Sequence, residues 1–228
     1  MSTYLKEIDP FQHIRTTSIS HRDLEGLNSV KNLDINQKHI YNATHSVPGN
    51  IESYSKKFGK PYIIGEVGYE WDWSKNFDDF ADGMNMDFRR GLWYGLFCPT
   101  PVTPMSWWWE WFDEHGMIPY IRNARLISDM MLEAGDGRFE FLDTNKDGKA
   151  ETYTVKCGNK TFVYVYNGNS TPLESAKIEL GKTGKVKVSK LDTENAKLAK
   201  AVKVTADGTI TLSALGIAPL EDAIFVIE

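Results

Sequence analysis

Over the first 134 residues the apolar positions switch repeatedly between alternation and a helical repeat. The run 14–20 is rich in β-branched residues and follows a proline, and 33–41 alternates up to His39-Ile40-Tyr41, so both read as strands. A short amphipathic helix is expected over 51–58, stopped by Gly59 and Pro61, and leads into a third strand ending at Glu66. Phe80, Met84, Phe88, Leu92 and Leu96 then recur at helical spacing, predicting a helix over 77–97. A strand over 105–109 and a helix over 119–133, with Ile121, Ala124, Ile127 and Met131 inward, complete the series. Strands alternating with helices imply a parallel α/β sheet. Four strands are half of a (β/α)8 TIM barrel, and the chain opens in what reads as a helix end, Tyr4 to Ile8 before Asp9-Pro10. The expected architecture is the C-terminal half of such a barrel, its N-terminal half missing.

Past residue 134 the pattern changes to short alternating runs: 151–157, 161–166, 175–180, 186–191, 201–205, 209–212 and 223–227. Gly158-Asn159 and Asp207-Gly208 supply turn chemistry between them. Many short strands at this spacing predict a small β-sandwich. The small polar stretch Glu133 to Arg138 marks the join, giving a barrel half over 1–134 and a β-sandwich accessory domain over 135–228. The whole is thus α/β plus all-β. Every Trp and every His lies before that boundary.

Composition removes several classes of function. The chain has 228 residues, 41% of them apolar, which is enough for one large core or two modest ones. A net charge of -5 with no Lys/Arg block argues against nucleic acid. No run reaches the length of about 18–20 apolar residues that crosses a bilayer, and Met1 to Pro10 lacks a signal-peptide layout, so no membrane association is expected. Cys98 and Cys157 are far apart, without metal-type spacing, and read as buried free thiols. Asp143 to Gly148 places oxygen ligands as a calcium loop does, with Gly sixth. The twelfth position holds Thr154 rather than a bidentate Glu, so the segment reads as a solvated turn and no metal is assigned.

The candidate chemistry centres on Glu66. It ends a strand, and all seven tryptophans follow it, between Trp71 and Trp111. Indoles beside a carboxylate suit a glycan cleft, because aromatic faces stack on the C–H faces of a pyranose. His39 and Tyr41, two apart on a strand, share a face. The order His39-x-Tyr41, then Ile64-Gly65-Glu66 opening a Trp-rich loop, then Ser106-Trp107-Trp108-Trp109, resembles strands six to eight of clan A glycoside hydrolases. Cellulase-like and mannanase-like members of the family-five type are the nearest in pattern. The resemblance spans roughly residues 4–134, and the later region resembles the small sandwich that accompanies some of these enzymes. With no Trp, that sandwich has little claim to sugar binding.

The resemblance implies that Glu66 is the nucleophile of a retaining mechanism, held by Tyr41 with His39 nearby, and that a tryptophan among 107–109 floors the subsite beside the cleaved bond. Alternation along a strand sends Trp107 and Trp109 to one face and Trp108 to the other, so Trp107 and Trp109 are the substrate-binding candidates, with Trp71 lining an outer subsite. Trp93, within a helix, reads as core. No cofactor is implied, and polymer substrates place such enzymes in secreted or periplasmic settings by analogy.

One departure matters. A retaining glycosidase uses two carboxyl groups about 5–5.5 Å apart. The clan's acid/base glutamate follows an asparagine on strand four, and no Asn-Glu pair occurs in this chain. Glu70, Asp72, Glu110, Asp113 and Glu114 lie on candidate loops, but none occupies that place. The expectation is a retaining glycoside hydrolase acting on O-glycosidic bonds of a polysaccharide or oligosaccharide, incomplete as this single chain and completed by a separate or lost N-terminal barrel half. The alternative is a non-catalytic carbohydrate-binding protein on a degenerate barrel.

Overall fold

The computed structural model describes residues 1–20, 22–70, 72, 74–147 and 149–228, with the side chains of 143–147 left aside. Two compact units follow one another, Met1–Met117 and Ile118–Glu228.

The first unit opens with helix α1 (Ser2–Ile8) and continues through strand β1 (Asn36–Tyr41), helix α2 (Val47–Phe58), strand β2 (Tyr62–Gly68), helix α3 (Ala81–Phe97), strand β3 (Met105–Ser106) and helix α4 (Trp109–Glu114). The three strands form a parallel sheet in the order β1-β2-β3. One face of that sheet buries Ile40, Tyr62, Ile64 and Val67 with Val47 and Ile51 of α2 and Met84, Phe88 and Tyr94 of α3. Pro48 starts α2 earlier than its apolar period suggests, and Gly59, in the left-handed region at φ 60°, ends it.

The sequence expectations meet three corrections here. The stretch 14–20 forms no ladder beyond an isolated bridge at Ile19. It is an extended segment whose Arg15 carbonyl accepts from Asp34 and Ile35 N–H and whose Ser20 carbonyl accepts from His39 N–H. Strand β3 is only two residues long, and Trp109 begins a helix instead of ending a strand. Helix α3 is buried over a wider arc than its apolar repeat, taking in Asp87, Arg90 and Trp93, while Phe80 is exposed.

The second unit begins with helix α5 (Pro119–Gly135), which the sequence boundary had grouped with the barrel half. Helical periodicity shows which side of a helix is apolar but not what covers it. Within this unit α5 packs on β5 (Ala150–Cys157) and β6 (Lys160–Asn167), which follow β4 (Glu140–Asp147). Asn123 is buried and donates to the Thr193 carbonyl at 2.9 Å, whereas Ile121, expected inward, is 46% exposed. Gly135 lies so close to β5 that a Cβ there would sit 3.2 Å from Cys157 Cβ. Strands β7 (Leu173–Asp192), β8 (Lys197–Leu198), β9 (Val202–Ile217) and β10 (Asp222–Ile227) complete an antiparallel assembly ordered β4-β5-β6-β10-β7-β8, with β9 on β7. Four of the expected short strands merge into two long ones, since Gly181, Gly184 and Gly208 sit at positive φ without ending the pairing. The Gly158-Asn159 hairpin is present as expected, and both cysteines are buried and in no disulfide. Strand β4 carries the backbone of the calcium-like segment up to Asp147, and Gly148 lies outside the described residues.

The chain is therefore a mixed α/β protein with one parallel and one antiparallel sheet.

Candidate active site

Glu66 lies near the C-terminal end of β2, beside His39 of β1 and Met105 of β3 in the backbone register. The register of β1 against β2 shifts between Lys38 and His39, so that His39 stands opposite Glu66 rather than Gly65. Gly65 is required by closeness: a Cβ there would meet Gln37 Oε1 at 2.6 Å and His39 Nε2 at 3.0 Å. A larger residue would push the imidazole away from the carboxylate.

Two donors converge on one oxygen. The Tyr41 hydroxyl donates to Glu66 Oε2, and His39 Nδ1 lies 3.1 Å from the same atom. Glu66 Oε1 is left without a partner among the described residues. Both His39 and Glu66 are about 85% buried by side chain, with exposures of 15% and 16%. The tautomer of His39 follows from its neighbours. A carboxylate oxygen only accepts, so Nδ1 carries the proton that faces Glu66. Ser18 Oγ lies 3.0 Å from Nε2, within hydrogen-bond distance, and accepts from Ser20 N–H at 3.1 Å. Extended segment 14–20 thus buttresses the site although it is no strand. Burial, the hydrogen bond to Glu66 and the charges of Glu66 and Glu70 push the Tyr41 phenol well above its ordinary pKa, so it remains a donor.

The strand ends are stapled together. Asn42, left-handed at φ 58°, donates its N–H to the Gly68 carbonyl at 2.8 Å, and its side-chain oxygen accepts from Glu70 N–H at 3.0 Å. This fixes the loop that leaves β2 beside Tyr41. A cavity of about 240 Å3 opens there, lined in part by His39, Tyr41, Ala43, Asn50 and Glu70.

The three consecutive tryptophans follow β3, which ends at Ser106, and Trp109 opens α4, so strand alternation does not set their directions. Trp108 is half-buried, donates its indole N–H to the Tyr69 carbonyl at 2.7 Å and packs edge-on against Phe77 at 4.7 Å. It anchors the loops. Trp107 and Trp109 are 51% and 61% exposed, large apolar rings without cover. Trp71 and Trp73 lie outside the described residues. Trp93 is core, at 1% exposure. Of the loop carboxylates considered as a second acid, Asp72 is tied to Ser74 and Lys75, and Glu110, Asp113 and Glu114 stand exposed on α4. No group of three or more His, Cys, Asp or Glu among the described residues is arranged to hold a metal ion.

Sequence reading missed Ser18, Gln37 and Asn42. Gly65 and Asn42 carried a usable signal, a glycine inside a strand and an Asn just past one; Ser18 carried none.

Comparison with solved structures shows which fold carries these residues. A protein described as a glycoside hydrolase superposes with a TM-score of 0.70 at 13% identity, over 99% of this chain and 59% of that one. A family 5 glycoside hydrolase from Bacteroides vulgatus gives 0.68 at 14% identity, over 99% and 58%. The fold is that of the glycoside hydrolases. A family 30 endoxylanase from Clostridium papyrosolvens agrees at 0.53 and 15% identity, covering 90% of this chain and 50% of its own. The chain thus spans less than three fifths of these relatives, and the resemblance to clan A enzymes holds at the level of a partial fold. No family model matches the sequence, and no curated protein matches it.

Proposed function

We propose that this chain is the nucleophile-bearing part of a retaining glycoside hydrolase that cleaves O-glycosidic bonds in a polysaccharide or oligosaccharide. The observation that carries the reading is the division of labour on Glu66: Tyr41 and His39 hold Oε2, while Oε1 is unengaged. A nucleophilic carboxylate needs one oxygen fixed and ionised and the other free to approach the anomeric carbon. Glu66 forms the glycosyl-enzyme bond, Tyr41 and His39 orient it, and Trp107 and Trp109 stack on sugar rings. The acid that protonates the leaving oxygen comes from the remaining β/α units of the barrel, supplied by a segment outside this sequence. The relatives' additional length supports that division.

An activated 2-fluoroglycoside needs no acid for its first step, so it tests Glu66 directly. The expected outcome is a covalent adduct mapping to Glu66, absent from Glu66→Gln, seen by intact mass and peptide mapping. An adduct on another residue sinks the assignment. Binding of oligosaccharides with no adduct and no turnover, even with the complementary barrel half present, identifies a carbohydrate-binding protein instead.

A further inference from the structure

A cavity lies within the second unit, lined by none of the residues around Glu66. It holds about 540 Å3 between β4 and β5 on one side and residues 177–181 of β7 on the other, within the range of about 300–1,000 Å3 usual for ligand clefts. A smaller cavity of about 150 Å3 shares Thr152 and Lys177 with it and extends it toward Leu173 and Thr211.

The lining is unusual for the interior of a β-sheet assembly. Ala150, Thr152, Thr154 and Lys156 alternate along β5 onto the face that, in register, also bears Val163 and Val165 of the apolar core. Thr152 and Thr154 are 7% and 6% exposed as residues, and their hydroxyls, which bond no protein group among the described residues, stay accessible to solvent. Hydroxyls that open onto the cavity are hydrated when it is empty and are available to a ligand whose own hydroxyls replace that water. Leu142, Ile178 and Leu180 supply aliphatic walls. Charges of both signs stand at the rim, Glu140 paired with Lys156 at 3.5 Å and Glu179 beside Lys177 in sequence, so the described lining residues carry no excess of either sign.

From this we infer that the cleft is a binding site for a neutral carbohydrate, separate from the Glu66 site. Hydroxyls that both donate and accept match sugar hydroxyls, aliphatic walls match C–H faces, and balanced rim charge selects a neutral ligand over an ion. The inference stands whether or not Glu66 is a nucleophile, because it concerns binding only. The missing Trp of this region is no objection, since this site recognises through hydroxyls and aliphatic packing.

The test uses the full chain with threonine methyl labelling, titrated with cellohexaose, mannohexaose and xylohexaose, and with an oligogalacturonate as the anionic comparison. Resonances of Thr152 and Thr154 should shift with at least one neutral oligosaccharide and not with the oligogalacturonate. The near-isosteric pair Thr152→Val/Thr154→Val should lose that binding about tenfold or more while remaining folded. Trp107→Ala/Trp109→Ala should retain it, which separates this cleft from the Glu66 site. Methyl resonances unmoved by every neutral sugar would overturn the inference. So would unchanged affinity in the double valine variant, with a raised melting temperature then assigning the cleft to a packing gap. Displacement of the sugar-free state by an added extended peptide, with no sugar response, would make it a strand-docking groove.

Discussion

Strands β1 and β6 show how differently two sheets of one chain are covered. In β6 every residue after Lys160 is buried, with α5 on one face and the β7–β9 pair over the other. In β1 only Asn36 and Ile40 are buried; Gln37, Lys38, His39 and Tyr41 are intermediate. A strand covered on both faces can hold only packing, because every polar group there must be matched or paid for. The half-covered strand keeps His39 and Tyr41 where they can satisfy each other's neighbours and still meet a ligand. Stability and chemistry are thereby assigned to different sheets.

That contrast can be broken by three measurements. The largest effect is expected from Phe162→Ala, which empties a fully buried site in β6 and should cost about 3–5 kcal/mol in chemical denaturation. A loss under 1 kcal/mol would mean that β6 is not the packed centre of its unit. Tyr41→Phe removes one donor to a charged acceptor and should slow adduct formation at Glu66 about 10–100-fold, with little change in unfolding midpoint. Equal losses of stability and rate would erase the distinction between the sheets.

The smallest effect concerns Asp87, buried in α3 beside Arg90, Thr44 and His45. Burial raises its carboxyl above the ordinary value, against the lowering pull of those neighbours. The folded state then holds this proton more tightly than the unfolded chain. Its stabilising contribution is complete below about pH 4, the unfolded value, and is lost as pH rises through the folded one. Stability of the wild type relative to Asp87→Asn should therefore fall with rising pH and then level. A rise over that window would contradict the burial of the group.

Much of this was legible in the chain, and the failures have physical causes. The strand to Glu66 and the pairing of His39 with Tyr41 could be read because period-two alternation and a following Gly/Trp loop are local signals. Run 14–20 failed because β-branched residues favour extension without supplying a partner strand; Ile14 is 70% exposed. Trp109 failed because three consecutive indoles fit a strand or a helix start equally well. The runs on either side of Gly181 and Gly184 read as separate strands, yet positive φ at those glycines bends a ribbon as readily as it ends one. The short β-branched segments they separate were read correctly. Helix α5 clusters with the second unit, and nothing local in its sequence identifies β5 and β6 as neighbours.

The long β7–β9 ribbon also bears on how the second unit assembles. Its register runs from Val188 opposite Val202 outward to Leu173 opposite Ile217. The inner end closes a short loop, and each later pair then forms beside one already made. Such a ribbon zips in order of increasing sequence separation, so the costly closure of distant strands is spread over many cheap steps. Time-resolved hydrogen exchange should find Val188 and Val202 protected before Leu173 and Ile217.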